Sequence, residues 1–176
     1  MGQLIMRRNN APVIDIVLPD GYFIRSYTRG DEEDWCLCCI DGKLGVEKAD
    51  TAEFDRIMSN DDRVDKSNIY FLVSETEGIV GTTTYQFGKL PEEGYIHMVG
   101  FKKSHRGKGL SRALLQFAIG KIIGDGMRTV TLSTDDWRLP AIKSYLNCGF
   151  EPCLIDAEAV ERWRKVYSEL GIVFSN

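Results

Sequence analysis

Runs of β-branched and aromatic residues fill positions 69–74 and 79–87, with the polar stretch Glu75-Thr-Glu-Gly78 between them. Side chains of that shape suit a pleated, half-buried surface, and the short polar connection predicts an antiparallel hairpin. After a loop at 88–94, the segment Tyr95-Ile-His-Met-Val-Gly-Phe101 predicts a third consecutive strand. The period then changes. Leu110, Ala113, Leu114, Phe117, Ala118 and Ile122 recur at helical spacing, predicting a helix over 110–123 that Gly124-Asp-Gly126 ends.

The flanking regions read in the same way. Residues 21–27 predict a strand, and the acidic run after Gly30 starts a helix reaching about residue 40. A second helix is expected over 51–58, followed by an exposed Asn- and Asp-rich loop over 59–68. Downstream come a strand at 129–133, a helix at 140–147 with Pro140 in its first turn, and a short strand within 150–154. A helix over 157–170 follows, and residues 172–174 supply an edge strand. Residues 1–20 are expected to form a mobile segment on a single domain spanning 1–176, with no internal repeat.

Charge and cysteine content narrow the function. A formal net charge of -4 excludes a general nucleic-acid binder, since phosphate backbones are held by excess Lys and Arg. No apolar run reaches membrane-spanning length, and the first residues lack a signal core, so a cytoplasmic protein without membrane partners is expected. The five cysteines, Cys36, Cys38, Cys39, Cys148 and Cys153, have no paired metal-binding spacing, so no metal is expected. The first three lie on the predicted helix after Gly30 and read as small buried apolar groups in a reducing compartment.

The chemistry-bearing stretch runs from Gly100 to Arg112. Gly107 and Gly109 leave room for a ligand to touch the main chain, and the first turn of the following helix points unpaired N–H groups at it. Arg106, Lys108 and Arg112 add positive charge, so an anion with several oxygens is the natural guest. The spacing Gly-x-x-x-x-Gly-Lys-[Ser/Thr] of a P-loop is absent, and three antiparallel strands before the turn fit a dinucleotide-binding fold poorly.

Arg106-Gly-Lys-Gly-Leu-Ser111 is similar to the [Gln/Arg]-x-x-Gly-x-[Gly/Ala] signature of the GNAT superfamily of acyl-CoA-dependent N-acyltransferases. Phe101 and Lys103 hold the places of its usual Val-x-Pro. Ala141-Ile-Lys-Ser-Tyr-Leu-Asn-Cys-Gly-Phe150 resembles the family's Ala-x-x-x-Tyr-x-x-x-Gly-Phe. The opening, Leu18-Pro-Asp-Gly-Tyr-Phe-Ile-Arg-Ser-Tyr27 with Gly30-Asp-Glu-Glu-Asp-Trp35, is similar to that of mycothiol synthase-like members, which typically carry two such repeats. Ser111 stands where Gly or Ala is usual, and Arg138 where many members have Asn.

The resemblance implies an α/β (α+β) fold: a mixed, mostly antiparallel twisted sheet flanked by helices and splayed at the coenzyme-binding strand. It implies acetyl-CoA as cosubstrate, its pyrophosphate on the N–H groups of Arg106, Gly107, Lys108, Gly109, Leu110, Ser111 and Arg112, with Arg138 near the pantetheine or phosphates. The pantetheine arm would run beside residues 95–101, where Val99, Gly100 and Phe101 occupy the stretch of a family bulge. Gly100 eases such a bulge or relieves packing. Tyr145 holds the general-acid position. His97 is a base, as in the arylalkylamine branch, or a core histidine; Glu92 and Glu93 are further base candidates, and His105 belongs to the cradle surface. Asp135 and Asp136 either cap a turn or attract a cationic amine. The helix bearing Glu161, Trp163, Arg164 and Tyr167 packs on the core or forms a homodimer surface. The acceptor is an amine of a small molecule or of a protein; a non-catalytic acyl-CoA-binding module is the alternative.

Overall fold

The computed structural model describes residues 2–9, 12 and 16–174. Strands β1 (Leu4–Asn9), β2 (Tyr22–Ser26), β3 (Ile69–Ser74), β4 (Gly78–Phe87), β5 (Glu93–Phe101), β6 (Thr129–Thr134) and β7 (Glu151–Pro152) form one sheet in the order β2-β3-β4-β5-β6-β1-β7. Neighbours from β2 to β5 are antiparallel, β5 and β6 are parallel, and β1 is antiparallel to both β6 and β7. The helices are α1 (Glu32–Asp41), α2 (Thr51–Phe54), α3 (Leu110–Gly124), α4 (Leu139–Asn147) and α5 (Ala157–Leu170). No helix among the described residues is long and apolar enough to cross a membrane.

Both faces of the sheet are covered, which explains the unbroken apolar run of β3. Ile69, Phe71 and Val73 face a core with Trp35, Cys36, Cys38, Cys39, Phe54 and Met58 from α1 and the α2 region. Tyr70 and Leu72 face the opposite core, with Leu114, Ala118 and Ile122 of α3, Tyr145 of α4 and Trp163 of α5. Each fully buried Leu or Phe contributes roughly 1.5–3 kcal/mol, so β3 is anchored from two sides. All five cysteines are free, and burial pushes the Cys36 thiol up to about 11 and Cys38 to about 12, as expected of packing groups.

Three expectations change. Leu4–Asn9 is a sheet strand rather than part of a mobile segment. Its alternation is strict, with Leu4, Met6 and Arg8 buried, but consecutive arginines hide it, because Arg8 is buried by donating Nε to Cys148 O at 3.0 Å. The expected edge strand at 172–174 does not form. Gly171 adopts a left-handed conformation (φ 68°), Ile172 N–H donates to Tyr167 O, and Phe174 lies against Tyr167, so the chain folds back on α5. The helix expected over 51–58 is α2 continued by a wider π turn, Asp55–Ser59.

Candidate active site

The site begins where the parallel pairing stops. β5 pairs with β6 only from Glu93 to Ile96, and beyond that it keeps only β4 as neighbour. The cause is a bulge: Thr82 pairs with Gly100 and Thr84 with His97, so Met98 and Val99 together oppose Thr83. Met98 carries the strain at φ 54°. The bulge is therefore Met98 and Val99, overlapping the expected stretch 99–101 only at Val99, and Gly100 serves packing. A β-carbon there would stand 2.7 Å from the Cys38 carbonyl oxygen and 2.9 Å from its carbon, where α1 presses on β5.

A cavity of about 160 Å³ opens between the diverging strands, lined by Tyr95, His97 and Met98 on one side and Leu132, Ser133 and Thr134 on the other. Beside it lies a groove of about 600 Å³ walled by Phe101, Arg106, Gly107, Gly109, Leu110, Ser111 and Arg112. Val99, Arg138 and Tyr145 line both spaces. Of the sequence-predicted coenzyme residues, Gly100 and the exposed Lys108 line neither.

The groove has the form of an anion cradle. Gly107 (φ 76°) and Gly109 (φ 75°) are left-handed, and no atom lies within 4 Å of where a β-carbon on either would stand. Gly109 is the residue before α3 and gives its first turn no side-chain cap, leaving the N–H groups of Leu110 and Ser111 for a ligand, whereas those of Arg106 and Arg112 already donate to Lys103 O at 3.3 Å and Gly109 O at 3.1 Å. Arg112 brings charge to the wall, and Ser111 Oγ lies 3.2 Å from Ser144 Oγ. Arg106 lines the groove with its Nη2 already engaged, donating to Asp41 O and, at 3.2 Å, to Phe101 O. Arg138 also grips the end of α1, donating to Gly42 O at 2.9 Å and Lys43 O at 2.7 Å, with Asp135 at 2.7 Å.

Tyr145 is 8% exposed, and burial pushes its phenol up to about 12, so it keeps its proton at neutral pH. Burial moves the His97 imidazole the other way, to about 4, so it is uncharged over the same range. Glu92 and Glu93 lie at the far end of β5, paired with Arg128 and Arg7, and line neither space. Asp136 pairs with Arg162 of α5, whose guanidinium lowers its carboxyl. Asp135 holds Arg138, so neither aspartate is an open cation site. His105 is buried on the groove wall with Nε2 3.4 Å from Glu77. Trp163 is fully buried, making α5 a packing helix.

Sequence reasoning missed Gln3, Leu44, Tyr95 and Ser133 in the small cavity, and the end of α1 on the groove. Tyr95 had a signal, standing two residues before His97 on the same strand face. Gln3 had none, because its place depends on β1 entering the sheet beside β6.

Residues 23–150 match the family model described as acetyltransferase (GNAT) family. The mycothiol acetyltransferase of Actinosynnema mirum is 25% identical over 161 residues, covering 88% of this chain and 53% of the relative. That of Thermomonospora curvata is 26% identical over 162 residues, covering 87% and 52%. Among solved structures, a GCN5-related N-acetyltransferase from Sphaerobacter thermophilus superposes with a TM-score of 0.68 at 25% identity, over 85% of this chain and 48% of that one. The chain spans about half the length of the curated relatives it matches.

Proposed function

Given that the chain belongs to the GNAT family of acetyltransferases, we propose that it moves the acetyl group of acetyl-CoA to a primary amine of a small molecule. The observation that carries this reading is the end of β5–β6 pairing at Ile96, which joins a small side-chain-lined cavity to the anion cradle through Val99, Arg138 and Tyr145. The small cavity favours a compact acceptor over a polypeptide, which needs an extended groove.

Acetyl-CoA supplies an activated thioester when bound. Gly107, Gly109 and the N–H groups opening α3 would hold its pyrophosphate, with Arg112 as counter-charge. The edge of β5 left without a β6 partner offers main-chain groups to the pantetheine amides. Tyr145, protonated at neutral pH, would give its proton to the thiolate as the C–S bond breaks, and the proton shed by the attacking nitrogen as the C–N bond forms would restore the phenol. His97, uncharged at neutral pH, offers a lone pair to hold the attacking amine. Its low pKa makes it a weak base, so the amine enters uncharged and the acidic limb of kcat/KM follows the amine's own ionisation.

Tyr145→Phe tests the reading by steady-state CoA release and acetyl-CoA titration. The expected result is a loss of about 100-fold in kcat, typical of removing a general acid, with coenzyme affinity within about twofold because the phenyl ring still fills the junction. Equal kcat in the variant removes Tyr145 from the chemistry. Acetyl-CoA binding without turnover of any amine supports a coenzyme-binding module instead.

A further inference from the structure

A hydrogen-bonded chain crosses the wall of the small cavity. Tyr95 Oη lies 2.5 Å from Ser133 Oγ, Ser133 Oγ donates to Gln3 Oε1 at 2.8 Å, and Gln3 Nε2 donates to Asp135 Oδ1 at 3.3 Å. The direction is fixed at both ends. A carboxylate only accepts, so Gln3 presents its nitrogen to Asp135 and its oxygen to Ser133. Serine has one proton, already given to Gln3, so Tyr95 donates to Ser133. This leaves the second N–H of Gln3 as a donor and a lone pair on Tyr95 Oη as an acceptor.

A hydroxyl group both accepts and donates, and it satisfies that pair. Other acceptors match less well. Among the described residues Arg138 is the only charged one lining the cavity, and each of its three nitrogens already donates, to Asp135, Gly42 O and Lys43 O. No carboxylate among the described residues lines the space, and the two nearby, Asp135 and Asp61, are engaged by Arg138 and Arg63, so a polycationic amine finds no free counter-charge there. A purely apolar amine strips water from Gln3 and Tyr95 and returns no hydrogen bond.

Resting on the N-acetyltransferase reading, we infer that the acceptor is a primary amine bearing a hydroxyl near its nitrogen, and that Gln3 and Tyr95 select it by binding that hydroxyl. Gln3 reaches the site because β1 lies between β6 and β7, with Leu4 opposite Thr134 in the register. The acceptor pocket is thus completed by residues far in sequence from the acetyltransferase motifs.

The test compares kcat/KM for trans-2-aminocyclohexanol, cyclohexylamine and spermidine in the wild type and in Gln3→Leu, with calorimetric titration of acetyl-CoA on both proteins. The wild type is expected to prefer the amino alcohol to each of the others by about tenfold, the worth of two modest neutral hydrogen bonds. In Gln3→Leu the preference over cyclohexylamine is expected to fall below about threefold, through a rise in KM for the amino alcohol. A merely structural role for Gln3 would slow both ring amines alike and leave their ratio standing, which overturns the inference. So does a wild-type preference for cyclohexylamine or spermidine, or turnover of none of the three while acetyl-CoA binds. Failure of the wild type to bind acetyl-CoA overturns the acetyltransferase reading itself.

Discussion

The anion cradle of the large groove comes from one short stretch, Arg106 to Arg112, whose contribution is main-chain N–H groups and the room that two glycines leave, while the end of α1 and helix α4 wall the rest. The small cavity draws Gln3, Leu44, Tyr95 and Ser133 from four separate stretches, and its contribution is side-chain chemistry. The two meet at Tyr145. Binding a generic phosphate-bearing group needs only local backbone geometry, which a short motif encodes. Recognising one acceptor needs groups converging from across the sheet, which only the topology provides.

The sharpest way to break this division is to close the groove alone. Gly109→Asp puts a side chain on a left-handed residue and a carboxylate in front of the cradle. Acetyl-CoA affinity is expected to fall by at least about 100-fold, since like-charge juxtaposition costs several kcal/mol. Titration calorimetry reads this, with a melting curve to show that the fold persists. Undiminished binding would place the pyrophosphate elsewhere.

The cavity side is probed by pH. His97 titrates near 6.5 when unfolded and near about 4 when folded, so between those values the unfolded state binds the extra proton. The stability associated with uncharged His97 is complete above about 6.5 and is lost as the pH falls towards about 4, by about 3 kcal/mol at most. Urea unfolding at several pH values should show a shallower acid loss in His97→Gln than in the wild type. Identical slopes would mean that His97 is not desolvated.

The same division explains what could be read from the residues alone. The hairpin β3–β4, strand β5, helix α3 and the turn between them were legible because apolar period and glycine placement are local signals. Of the stretch expected to bulge only Val99 does so, because Gly100 stands out by composition while the strained residue is Met98. Gly100 answers instead to Cys38 on α1, a contact across more than sixty positions of sequence that no local pattern records. Arg106 read as a phosphate ligand, yet its Nη2 serves carbonyls at the end of α1 and β5. β1 was hidden because Arg8 sits at an inward position, where hydrogen bonds rather than hydrophobicity hold it.

The central claim is that the gap where β5 leaves β6 is the place of the thioester arm. Hydrogen exchange at the amides of residues 99–101, with and without saturating acetyl-CoA, tests it directly. Slowing by at least about tenfold there, together with protection of residues 109–111, is the predicted result, since an occupied strand edge gains hydrogen-bond partners. Protection confined to the cradle, with residues 99–101 exchanging as in the free protein, would contradict it.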